Sequence, residues 1–176
     1  MIQFSEETLA TAKRIIERYP SDRSKSALIP LLHLAQAEFN GWLSPESMDY
    51  VASLLHIKSI EVYEVASFYS MFNLKPVGKC HLEVCRTAPC WLAGADDLVE
   101  YLEKKLKIKV GETTPDGMFT LKTVECLGSC GTAPMLQCGE HFHENLTNEK
   151  ADELLEKLKD ENKYQLYVDN ETFRKN

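Results

Sequence analysis

Six cysteines fall within 59 positions of this chain, and four of them form two tight pairs at the ends of predicted strands. Cys85-Arg86-Thr87-Ala88-Pro89-Cys90 is C-x4-C, and Cys126-Leu127-Gly128-Ser129-Cys130 is C-x3-C. A strand end fixes the first thiolate of each pair, and a short loop returns the second to within a few Å of it. Two such loops at adjacent strand ends make a four-sulfur cage. Pro89 stiffens the first loop, while Gly128 and Gly131 let backbone N–H groups of the second approach sulfur. Four thiolates hold either Zn²⁺ or an iron–sulfur cluster. Both pairs are wider than the C-x2-C knuckle common in structural zinc loops. In a [2Fe–2S] rhomb each iron takes two sulfurs, so two pairs map onto two irons. Spacing therefore favours the cluster and leaves zinc open as a structural, non-redox alternative.

The other two cysteines read as core residues. Cys80 alternates with Leu82 and Val84 on one face of a strand over 79–84. An extended strand would hold the Cys80 and Cys85 sulfurs on the order of ~15 Å apart. Cys138 sits in a short strand after Pro134 and is assigned the same way. The five histidines show no ligand spacing with the cysteines, and His81 and His143 are expected to face solvent.

Composition removes several function classes. The chain has 20 Lys and Arg against 27 Asp and Glu, a net charge of −7 that phosphate backbones repel, so nucleic acid is not a partner. No apolar run reaches the ~20 residues of a membrane span. The first residues, MIQFSEETLATAK, lack the basic and apolar regions of a signal peptide, which points to reducing cytoplasm. In that compartment a set of cysteines reads more readily as metal ligands or redox groups than as a disulfide framework. No G-x-G-x-x-G, no G-x4-G-K-[ST], no hydrolytic triad and no C-x-x-C occurs. A one-electron carrier without a substrate pocket needs a partner to supply electrons.

Periodicity divides the chain near residue 76. Residues 1–76 contain no cysteine and read as an antiparallel helical bundle. Its helices span 6–19, 25–39, 45–55 and, starting after Ser59, 60–72, and the third starts on a Ser44 cap with Pro45 at the first helical position. Residues 77–160 read β-α-β-β-β-α: strands over 79–84, 118–125, 134–138 and 141–143, a helix over 92–106, and a last helix capped by Thr147. Residues 161–176 read as a polar C-terminal tail. The fold class is α+β. Phe68, Tyr69, Met71 and Phe72 form an aromatic patch assigned to the core between the two parts. Arg86, beside a candidate ligand, either offsets cluster charge or faces a partner.

The segments VASFYSMF (65–72), CRTAPCWLAG (85–94), TPDGMFTL (114–121) and ECLGSCGTAPM (125–135) resemble the small iron–sulfur subunit of NADH:quinone oxidoreductase. This is the E-type component of respiratory complex I, the 24-kDa-type subunit of the mitochondrial enzyme. The likeness covers nearly the whole chain. It implies a helical N-terminal part that docks on a partner and a thioredoxin-like domain, with Ala133-Pro134 at the place of a cis-proline. It implies one [2Fe–2S] cluster on Cys85, Cys90, Cys126 and Cys130. Ser129 stands where many members have Ala. FMN and NADH would be carried by a partner, the F-type flavoprotein of the complex, beside other peripheral-arm subunits. The resemblance places the chain in that arm, on the cytoplasmic face of the inner membrane, touching the membrane only through the complex. A near alternative is the corresponding diaphorase subunit of an NAD-linked hydrogenase or formate dehydrogenase, which these residues do not separate from it.

Overall fold

Ser5 and Ser44 each begin a helix in the same way: a hydroxyl oxygen accepts a backbone N–H three residues on, from Thr8 and from Ser47. These bonds satisfy donors that a helix start leaves open. The computed structural model describes residues 2–161, with only the backbone described at 161. The assignment of a polar tail lies almost wholly outside the described residues. The chain divides into two compact units, with the break between Pro76 and Val77.

The first unit holds four helices: α1 (Glu6–Ile16), α2 (Leu28–Glu38), α3 (Pro45–Leu55) and α4 (Ser59–Phe68). Three are shorter than the periodicity predicts, and each has a local cause. Pro20 has no N–H to continue α1, and the residue before a proline is steered out of the helical region. Residues Ser21–Ala27 form a 3-10 segment with Arg23 outside helical angles, so α2 begins only at Leu28. Pro30 is then the third residue of α2, where its missing N–H costs no bond. At the far end Asn40 and Gly41 take positive φ, and Gly41 N–H closes on Gln36 O at 2.8 Å. Helix α4 stops at Phe68 because Tyr69 is extended.

The core of this unit gathers Ile15, Leu31, Leu32, Leu34, Leu43, Val51, Leu55, Val62 and Phe72. Gln36 is buried and fully engaged: its Nε2 donates to Met71 O and its Oε1 accepts Asn73 N–H. The expected aromatic patch is divided. Phe72 is buried and Met71 packs against the same core, but Phe68 is 79% and Tyr69 40% exposed. Four apolar residues in a row of five cannot share one face once the helix ends among them.

The second unit is a four-stranded sheet in the order β2-β1-β3-β4: β1 (Cys80–Cys85), β2 (Phe119–Val124), β3 (Leu136–Cys138) and β4 (His141–His143). Strands β1 and β2 are parallel; β3 is antiparallel to β1 and to β4. A parallel pair needs a crossover, supplied by α5 (Ala88–Leu92) and α6 (Ala95–Leu106). The single expected helix over 92–106 is broken by Gly94 at φ +94°, which closes α5 and opens α6. Thr147 Oγ1 accepts Lys150 N–H at the start of α7 (Asn148–Glu161). One sheet face carries Cys80, Leu82, Val84, Phe119, Leu121, Leu136 and Cys138, all buried with apolar residues of α6 and α7. Tyr101 and Lys105 of α6 both donate to the Asp152 carboxylate of α7, at 2.7 and 2.8 Å.

The opposite face carries His81, Glu83, Thr120, Lys122 and Gln137. Glu83 is 6% exposed and meets Lys122 across the strands at 3.5 Å. His81 corrects an expectation: it is half-buried, not solvent-facing, and burial followed by the nearby Lys122 charge pushes its pKa down to about 4. Gly78 enters β1 where an added Cβ would stand 2.9 Å from backbone atoms of Met118 and Phe119.

Candidate metal centre

Cys85 is the last residue of β1, the central strand, and both neighbours hold the chain there. Its N–H donates to Met135 O at 3.3 Å, and the next N–H, of Arg86, donates to Val124 O at 3.2 Å. The chain then turns directly into α5, so Cys90 lies on a short helix and not in an open loop. Trp91 N–H closes back on Thr87 O at 2.9 Å, which fixes the return of Cys90 toward Cys85. Both cysteines are 2% exposed and share a small apolar nest with Ala95 and Met135, against which Leu127 and Ala133 pack. Met135 follows the Ala133–Pro134 peptide bond, which is cis as the resemblance implies.

Cys126 lies just beyond β2 and Cys130 opens a 3-10 turn, Cys130–Thr132; both are exposed. This loop is shaped by polar contacts. Gly128 takes φ +81°, a conformation that disfavours any other residue, and its N–H donates to Cys126 Sγ at 3.4 Å. Gly131 has no positive φ and open space around it, so the second glycine is not required in the way the sequence suggests. Beyond the loop, Asn145 N–H donates to Thr132 O and Leu146 N–H to Pro134 O, at 2.7 and 2.9 Å.

The thiols feel one another. Burial works against a Cys85 thiolate, but the hydroxyl and N–H of Thr87, the backbone of Leu127 and the Cys90 thiol outweigh it and hold the Cys85 pKa below its ordinary value. The Thr87 hydroxyl is 3.4 Å from Cys85 Sγ. Cys90 moves the other way, pushed up to about 11 by burial, then by the Cys85 hydrogen bond and the charges of Cys85, Cys130 and Cys126. The backbone brings the two cysteine segments side by side: Cys85 is paired with Val124 across the parallel strands, and Leu127, next to Cys126, packs on the nest of Cys85 and Cys90.

Arg86 points away from a free role: its Nε and Nη2 both reach Asp96 Oδ1 at 2.8 Å, so its charge is neutralised at the start of α6. Cys80 and Cys138 are 0% and 1% exposed on the apolar sheet face, hydrogen-bonded to each other. That contact, with burial, drives the Cys138 thiol far upward. Neither joins the site. Among the described residues, no group of three or more His, Cys, Asp or Glu side chains is gathered closely enough to hold a single ion. Cys85, Cys90, Cys126 and Cys130 would offer two pairs of soft sulfurs beyond the ends of β1 and β2, with the Gly128 N–H and the Thr87 hydroxyl within reach of sulfur. That set fits an iron–sulfur cluster.

Residues 12–159 match the family model described as thioredoxin-like [2Fe-2S] ferredoxin. The chain is 47% identical over 158 residues to the E-type component of the NADH-quinone oxidoreductase of Rickettsia conorii, covering 90% of this chain and 95% of that one. It is 45% identical over 156 residues to NADH dehydrogenase [ubiquinone] flavoprotein 2, mitochondrial, of Dictyostelium discoideum, covering 89% of this chain and 63% of that one. Among solved structures, an NAD⁺-reducing [NiFe]-hydrogenase in the air-oxidised state superposes with a TM-score of 0.67. The alignment is 20% identical and covers 77% of this chain and 23% of the hydrogenase chain, a likeness of fold.

Proposed function

Because the chain belongs to the thioredoxin-like [2Fe–2S] ferredoxin family, we propose that it is the electron-transfer subunit of an NADH:quinone oxidoreductase, with Cys85, Cys90, Cys126 and Cys130 as the ligands of its cluster. Membership of the family gives the chain one [2Fe–2S] cluster. Near-full-length relatives named as the E-type component of that enzyme support the complex. The observation that supports the ligand assignment is the packing of Leu127, beside Cys126, on the apolar nest of Cys85 and Cys90, beyond the paired ends of β1 and β2.

When bound, the group supplies one-electron transfer. The residues of the chain do the rest. Cys85 and Cys90 bring two sulfurs from a dry nest, and Met135, Ala95, Leu127 and Ala133 keep water from that side. The N–H of Gly128 and the hydroxyl of Thr87 donate toward sulfur, which stabilises thiolate charge and helps set a potential. The exposed side, at Cys126 and Cys130, is where a partner can approach. That partner is the FMN of an NADH-binding flavoprotein subunit, and the first unit, through Pro76, is the docking part. The complex sits with its arm in the cytoplasm, and this chain reaches the membrane only through it. No helix among the described residues is long and apolar enough to cross a membrane.

Anaerobic purification of the full chain tests the proposal. A coloured protein with iron and acid-labile sulfide in equal amounts, and an EPR signal that develops on NADH addition only with the flavoprotein present, is expected. A colourless chain holding one zinc and no sulfide would overturn it.

A further inference from the structure

The second cysteine loop carries an interaction that cluster binding by four thiolates does not require. Ser129 lies between Cys126 and Cys130, and its hydroxyl donates to Oε1 of Glu144, which follows β4. The hydroxyl of Thr132 donates to the same oxygen at 2.5 Å, and the two hydroxyl oxygens are 2.7 Å apart. Each hydroxyl has one proton. With both protons on the carboxylate, the two hydroxyls share one acceptor oxygen and do not bond to each other. An ionised carboxylate oxygen has the lone pairs to accept both bonds, and charge-assisted bonds of this kind are the stronger ones. The two hydroxyls correspondingly hold the Glu144 carboxyl below its ordinary range. The neighbouring backbone bonds, Asn145 N–H to Thr132 O and Leu146 N–H to Pro134 O, tie the same two segments together.

This loop has little else. Cys126 and Cys130 are exposed, and no apolar nest like that around Cys85 and Cys90 encloses them. We infer that Glu144 is a positioning residue for the cluster: through Ser129 and Thr132 it fixes the loop that presents Cys126 and Cys130, and it places a negative charge on the hydroxyl of Ser129, the residue before Cys130. The inference rests on the reading that Cys126 and Cys130 are ligands.

The test uses the full chain, purified anaerobically with its cluster, and two readouts that need no catalysis. One is the rate at which visible absorbance is lost in excess iron chelator. The other is the midpoint potential from a dye-mediated titration. Glu144→Ala is expected to shed the cluster about 10-fold faster, the scale on which groups that orient metal ligands act. Ser129→Ala with Thr132→Val should do the same from the other side of the contact. Glu144→Gln keeps an acceptor oxygen and removes the charge. It should hold the cluster nearly as well as the unmodified chain and show a more positive midpoint, because reduction adds an electron that the carboxylate no longer opposes. Unchanged chelator kinetics in Glu144→Ala overturn the inference. Should that variant not fold, an unmoved midpoint in Glu144→Gln overturns it instead. Cys130→Ser separates the two readings. If Cys130→Ser loses the cluster while Glu144→Ala behaves as unmodified protein, the ligands stand and the clamp does not. An unaltered spectrum in Cys130→Ser overturns the ligand assignment and the clamp with it.

Discussion

Cys85 and Cys90 are each 2% exposed, whereas Cys126 and Cys130 face solvent. The first pair is shaped by apolar packing. Its strand is central, its turn is a short helix, and Met135 and Ala95 close over it. The second pair is shaped by hydrogen bonds: a glycine N–H on sulfur, a 3-10 turn and two hydroxyls on a carboxylate. A buried pair is held in place by the same residues that hold the fold, so altering it costs stability. An exposed pair is held by local bonds, so altering it costs cofactor retention first.

That contrast can be broken by experiment. The largest effect is expected from Cys130→Ser, which should abolish visible absorbance and the EPR signal while the far-ultraviolet circular dichroism of the chain stays intact. Next, Met135→Ala should lower unfolding stability by about 3 kcal/mol, the cost of emptying a fully buried methionine site, measured by denaturant titration of the chain without its cluster. Equal destabilisation by Cys130→Ser would erase the distinction between the loops.

Acid should act on the sheet behind the buried pair. The His81 pKa is depressed to about 4 by burial and by Lys122, against an ordinary 6.5. Between those values the unfolded chain binds the proton and the folded chain does not. Stability therefore falls as pH drops from about 6.5 toward 4, by up to about 3 kcal/mol in total, and is unaffected by this group above 6.5. His81→Gln should flatten that part of the stability–pH curve; an unchanged slope would show that the carboxylates alone produce it.

Smaller still, Gly128→Ala should cost about 1 kcal/mol, because φ is positive there while the space around an added Cβ is open. Cluster loss to a chelator should speed up in the same variant. Cys80→Ser marks the floor, with no change in the visible spectrum. Loss of colour there would mean that the wrong thiols were chosen.

Much of this arrangement is legible in the residues. Ser44-Pro45 starts α3 where the cap chemistry says, Asn40-Gly41 ends α2, and the four strands and the last helix of the second unit come in the expected order, with two helices where one was expected. Cys80 and Cys138 are buried as strand alternation predicts. What sequence missed depends on tertiary surroundings. His81 alternates correctly onto the polar face of β1, but alternation cannot say that this face is itself partly buried. The run Leu92–Leu106 has helical spacing throughout, and only the positive φ of Gly94 reveals two helices. A glycine inside that apolar-periodic run is the one available hint of a break. The pairing of Ser129 with Glu144 spans 15 positions, and nothing local to either residue announces it.

The uneven exposure of the six thiols has a practical outcome for anyone handling the empty chain. Dissolved oxygen or peroxide reaches Cys126 and Cys130 and is kept from the other four. Damage there leaves every core residue where it was. Such a batch would melt normally and show a native circular dichroism spectrum, yet take up no iron until the two thiols are reduced again.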